Sequence, residues 1–91
     1  MVLYDQLIQD VSRADDALSL RRYEHCAREI GHALAVIGYL EATRRRGGSD
    51  LAPKLGRFYT MLREKLMEAQ VRSSRQILSE LQQQLRERRE A

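Results

Sequence analysis

The chain has no tryptophan, a single cysteine, a single proline, and only four tyrosines and one phenylalanine among its 91 residues. Each scarcity excludes something. One cysteine, Cys26, cannot close an internal disulfide and fits a reducing compartment. No apolar run approaches the roughly 20 residues that span a bilayer. The stretch from Met1 to Asp10 carries acidic residues and lacks the basic start of a signal peptide, so a soluble, cytoplasmic protein without membrane insertion is the expectation. Few aromatics leave little for stacking on bases.

The chain is the length of one domain, 1–91, with one modest core. Its net charge of +3 is uneven: residues 1–41 hold seven acidic and four basic side chains, residues 42–91 six acidic and twelve basic. That polarity would steer an acidic partner or align two subunits, and it is equally what a solvated basic face looks like.

Apolar spacing at three and four residues predicts four helices. The first runs from about Val2 to Leu18, with Leu3, Leu7, Val11, Ala14 and Leu18 on one face. Ser19 is placed to cap a second helix that continues to about Thr43. The run Arg44-Arg45-Arg46-Gly47-Gly48-Ser49-Asp50 breaks it. Pro53 is tolerated in the first turn of a third helix, whose stripe is Leu51, Leu55, Phe58, Leu62, Leu66 and Ala69. After a break near Arg72, Ser73 and Gln76 resemble a capping box that opens a fourth helix with the face Ile77, Leu78, Leu81 and Leu85. The expected fold class is all-α, an antiparallel up-down four-helix bundle.

The second helix is the unusual one. Besides its stripe of Tyr23, Cys26, Ala27, Ile30, Leu34 and Ile37, it carries Val36, Tyr39 and Leu40 off to one side. A third strip, Ala27, Gly31, Ala35 and Gly38, is small throughout. So wide an apolar arc is either central in its fold or covered by a partner. Gly31, Gly38 and, in the third helix, Gly56 each cost about 1 kcal/mol relative to alanine in a helix interior, so a compensating close contact is expected, within the bundle or with a partner's helix.

Chemistry is sparse. His25, Glu29 and His32 share a face, but seven residues rise ~10 Å, too far for both imidazoles to hold one ion. Cys26 and His25 point about 100° apart, so they form no local nucleophile–base pair. No glycine-rich phosphate loop follows a strand. The reading is no enzyme, no metal and no cofactor. Arg44-Arg45-Arg46 lacks the setting of a nucleic-acid motif, and no nucleic-acid partner is expected. A protein-binding surface is the positive expectation, with Tyr4, Ile8, Val36, Tyr39, Leu40, Tyr59 and Met61 as its candidate peptide-binding residues because they lie off the core stripes.

Taken in order, Leu3-Tyr4-Asp5, His32-Ala33-Leu34, Gly47-Gly48, Ala52, Leu55, Phe58-Tyr59, Leu66, Glu68-Ala69 and Ile77-Leu78 resemble the flagellar secretion chaperone FliS family over nearly the whole chain. Tyr4 and Tyr59 fall on family positions. The pattern departs at Arg44-Arg45-Arg46 and at Gln70, lacks the terminal tryptophan, and begins at Leu3 where family members carry a further segment, an expected truncation or alternative start. The resemblance implies a helical bundle that binds the disordered C-terminal segment of flagellin in apolar grooves, prevents premature polymerisation and hands the client to type III export, with an export-gate component as a further partner. An adaptor for another secreted helical client, or a self-associating homodimeric bundle, is the alternative.

Overall fold

A computed structural model describes residues 2–46 and 53–90. Four helices make up the described chain, α1 (Val2–Ser19), α2 (Tyr23–Arg46), α3 (Pro53–Arg72) and α4 (Arg75–Glu90), with no strand among the described residues. Leu51 of the expected third stripe, Ala52 and the Gly47-Gly48 break lie outside the described residues.

Contacts form a ring. α1 packs on α2 and α4, and α3 on α2 and α4, with no close backbone approach across either diagonal among the described residues. The most extensive interfaces are those of α1, which explains its burial. Leu7, Val11 and Ala14 are at most 1% exposed, and Tyr4, Ile8, Ala17 and Leu18 are buried beside them. Its inner face is therefore two stripes wide, one toward each neighbour. α2 contributes Cys26, Ile30, Ala33, Ile37 and Leu40; α3 contributes Tyr59, Leu62, Leu66 and Ala69; α4 contributes Leu78, Leu81 and Leu85.

The helix connections differ from expectation by a few residues, for a reason visible in the backbone. α1 includes Ser19 and ends in a Schellman motif: the Arg22 N–H donates to the Ala17 carbonyl, 2.8 Å, and the Arg21 N–H to the Leu18 carbonyl, 3.0 Å. Arg21 takes the left-handed conformation at φ 58°. Ser19 thus caps nothing; its hydroxyl donates to the Asp16 carbonyl, 2.6 Å, within its own helix. The same motif closes α3, with Ser74 N–H to Ala69, 3.0 Å, and Ser73 N–H to Gln70, 3.4 Å, and Ser73 at φ 50°. The α4 cap is therefore Ser74, whose Oγ accepts the Ile77 N–H at 3.2 Å. Gln76 instead donates along the helix to Glu80, so the expected Ser73–Gln76 box does not form.

Polar links tie neighbouring helices. His32 reaches the buried Asp10, Glu41 accepts from Arg63, and Asp15 accepts from Arg75 Nε at 2.8 Å. That bond, then the Asp15 charge, pushes the exposed Arg75 guanidinium further above its ordinary range.

Candidate functional site

Apolar side chains remain partly exposed along one helix seam, between α3 and α4. α3 sends Phe58, Met61 and Lys65 to one edge at steps of three and four, and α4 answers with Ile77, Leu81, Gln84 and Arg88. Between them lie two adjoining hollows of about 350 and 110 Å³ that share Met61 and Gln84 along the α3–α4 groove, with Glu87 also lining the larger. Leu81 is its buried floor, while Phe58, Met61 and Ile77 are half-buried along it. At one end the Arg88 guanidinium sits 4.2 Å from the centre of the Phe58 ring, a cation–π contact that holds both side chains. At the other end Lys65 and Glu80 form a charged rim.

Only part of the expected site lies on the surface. Tyr4, Ile8, Leu40 and Tyr59 are 3–7% exposed and belong to the core, so they do not enlarge the apolar surface as their off-stripe positions suggested. The two tyrosines hydrogen-bond each other. Burial first, then that bond, pushes the Tyr59 hydroxyl well above its ordinary range, against an opposing pull from Arg88 and Arg44. Val36 is half-buried against the core, Tyr39 is 57% exposed on the outer side of α2, and Met61 lines the α3–α4 groove. These three do not form one patch, since Met61 lies on the α3–α4 seam and the other two on α2.

The small strip of α2 also differs from expectation. A Cβ added to Gly31 or Gly38 would meet nothing within 4 Å, so no helix of the bundle approaches there. Gly31 and Ala35 face solvent. Gly56 is crowded, but by the Arg44 side chain instead of a helix backbone. Tyr23, placed on the main stripe by its spacing, is 57% exposed at the first turn of α2.

Sequence reasoning did not single out Phe58, Ile77 and Arg88 for the groove. Phe58 and Ile77 sit on core stripes by periodicity, and nothing in a single helix tells which edge of a stripe its neighbour leaves open. A second hollow, about 440 Å³ at the α1–α2 connection, is lined by Ala17 and Leu20 together with Arg13, Asp16, Arg22, His25 and Glu29, so charged side chains flank its apolar part. His25 and Glu29 stand 3.7 Å apart there, while His32 is committed to Asp10. Burial, then Asp15, raises the Cys26 thiol above its usual range, the setting of a packed thiol.

Among the described residues no helix is long and apolar enough to cross a membrane. The described residues form an all-helical fold with a partly apolar seam open to solvent between α3 and α4. The family model of flagellar protein FliS matches residues 1–91, and the chain belongs to that family. Membership supports a flagellar export chaperone in general terms, with a protein partner in flagellar export. Comparison with curated proteins and with solved structures gave no match.

Proposed function

We propose that residues 1–91 form one antiparallel up-down bundle that acts in the cytoplasm as an export chaperone for flagellin. Its C-terminal segment would be held in the α3–α4 groove until handed to the type III export gate. The antiparallel reading rests on contact order. Across the α2–α3 interface Glu41 meets Arg63 and Arg44 meets Gly56, and across α3–α4 Phe58 meets Arg88 while Lys65 shares a hollow with Ile77.

The observation that carries the function is the α3–α4 groove, where Phe58, Met61, Ile77 and Leu81 present apolar surface between polar side chains. A polymerisation segment that is apolar on one face once helical can lay that face between α3 and α4. Covering it blocks premature assembly and leaves the rest of the client unfolded for export. Ordering the segment costs about 2–5 kcal/mol, so a long apolar contact is required.

Calorimetric titration with the C-terminal segment of a cognate flagellin, followed by circular dichroism, tests this. Saturable binding with a negative heat-capacity change and a gain in helix supports it. A folded chain that ignores flagellin but takes another secreted helical segment makes the protein an adaptor for that client. The small strip of Gly31, Ala35 and Gly38, of which the first two face solvent, favours a second reading, self-association through α2. Mass that rises with concentration and does not respond to flagellin would establish it.

A further inference from the structure

The larger hollow of the α3–α4 groove, about 350 Å³, is lined by Phe58 and Met61 of α3 and by Gln84, Glu87 and Arg88 of α4. Three of these side chains share one chemical preference. Phe58 offers a ring to a second ring, Met61 a thioether that favours aromatic edges, and Arg88 a cation that favours aromatic faces. One such pairing is already made, with the Arg88 guanidinium 4.2 Å from the centre of the Phe58 ring. Arg88 stays exposed there, and its neighbour Glu87 accepts instead from Gln83 at 3.1 Å. The guanidinium is thus placed beside the hollow by a ring and not by that carboxylate.

Size separates this hollow from its neighbour. A cavity of roughly 150 Å³ suffices for benzene, a volume that the larger hollow exceeds and the smaller one, about 110 Å³, does not reach. The smaller hollow sets Ile77 and Leu81 beside Met61, with Lys65 and Glu80 at its rim, and has no ring in its lining. Along one groove, the walls therefore change from aliphatic to ring-seeking.

We infer that the larger hollow is an aromatic anchor site: the segment bound in the α3–α4 groove inserts a phenylalanine or tyrosine ring beside Met61 and the Arg88–Phe58 pair. The inference rests on the groove reading above and adds which side chain the groove selects. An aliphatic side chain of the same outline buries similar apolar area, but it leaves the cation and the thioether without the π-system they favour. Because Phe58 orients Arg88 before any ligand arrives, little further side-chain freedom is lost when a ring meets it.

The test is a nitrogen–proton correlation titration of the whole protein with N-acetyl-phenylalaninamide and, separately, N-acetyl-cyclohexylalaninamide, which has the same six-membered outline and no π face. The amides of Phe58, Met61 and Gln84 and the Arg88 Nε–H report the hollow. The phenylalanine compound is expected to bind about two- to fivefold more tightly, the ratio that an exposed cation–π contact carries. In Arg88→Gln the two compounds should bind alike. Arg86→Gln removes the same charge from an exposed position of α4 outside the groove lining and should keep the ratio. Equal affinities in the unaltered protein would reduce the hollow to apolar volume and overturn the inference. A ratio that survives Arg88→Gln, or one lost equally in Arg86→Gln, would overturn the part given to Arg88. No shift at the reporting groups with either compound would overturn the anchor site. The calorimetric titration with the flagellin segment keeps these failures apart from that of the groove reading: binding of the segment that is lost in Met61→Asp, without any aromatic preference, removes this inference alone. Circular dichroism and a melting curve verify that Arg88→Gln is folded.

Discussion

Asp10 of α1 is 1% exposed, and His32 of α2 approaches it with Nδ1 2.6 Å from Oδ2. A carboxylate only accepts, so that imidazole nitrogen carries the hydrogen. Gln6 donates to the other oxygen at 2.9 Å. The two bonds account for a charge that the α1–α2 interface would otherwise bury alone. His32→Ala is expected to destabilise the protein by about 1–3 kcal/mol, nearer the lower figure because water reaches the half-exposed histidine position. His32→Gln, whose amide can still donate, should lose less. Urea unfolding of the three proteins checks the order, and equal stability of all three would show that Asp10 needs no partner from α2.

The two Schellman motifs hold non-glycine residues where glycine fits best. Arg21 and Ser73 sit at φ 58° and φ 50°, a conformation that costs an L-residue roughly 1–2 kcal/mol. Arg21→Gly and Ser73→Gly are each expected to raise stability by about 0.5–1 kcal/mol after the added freedom of the unfolded chain is counted. Ser74→Ala, one residue on, should lower it by about 1 kcal/mol through the lost cap. Opposite signs at adjacent serines are the diagnostic result. A Ser73→Gly variant that melts earlier would contradict the left-handed geometry.

Tyr59 gives the fold an alkaline limit. Burial, then the Tyr4 hydroxyl, holds its proton on above the ordinary range, with Arg88 and Arg44 opposing. A group raised on folding contributes its stability fully below the unfolded value of about 10, and that stability is lost as pH climbs from there toward the folded value. The urea midpoint should therefore fall as pH rises above about 10. Tyr59→Phe removes this group from the titration and should flatten the fall, although it also removes the bond to Tyr4. Parallel curves for the two proteins would assign the alkaline loss to other groups.

Leu40 and Val36 are four residues apart on α2 with different surroundings. Leu40 is 7% exposed within the core cluster, and Val36 is half-buried at its margin. Leu40→Asp is expected to unfold the chain, because a carboxylate cannot be buried there without a partner. Val36→Asp should leave it folded. Circular dichroism at room temperature separates the two, and a folded Leu40→Asp protein would place that side chain outside the core.

How legible each element was depended on how many neighbours it has. The stripes of α1, α3 and α4 were readable because Leu7, Leu62 and Leu81 recur at helical spacing whatever lies opposite. The core positions of Tyr4 and Ile8 were not, because they face a second neighbour and a single stripe says nothing of how many helices share it. Tyr23 shows the reverse: correct period, but one turn beyond the reach of the bundle. Helix ends slipped by one to three residues because Ser19 and Ser73 have capping chemistry, while the chain reverses through left-handed backbone at Arg21 and Ser73. Of the seven proposed binding residues, Met61 alone lines the α3–α4 groove, whose existence depends on how two helices meet.

Met61 is also where the groove can be tested against the rest of the surface. Its side chain is shared by both hollows, so a charge there interrupts the apolar path between Phe58 and Ile77 without touching the buried floor at Leu81. Met61→Asp is expected to weaken binding of the flagellin segment by roughly tenfold or more, the loss of one well-buried apolar anchor. Because Met61 is half-exposed, the melting temperature should move little. Tyr39→Ser alters the outer side of α2 instead and should leave the affinity within about twofold, as surface positions outside an interface do. Calorimetric titration of the three proteins with one segment decides between the surfaces. Loss confined to Met61→Asp assigns the client to the α3–α4 groove, and loss confined to Tyr39→Ser moves it to the open face of α2.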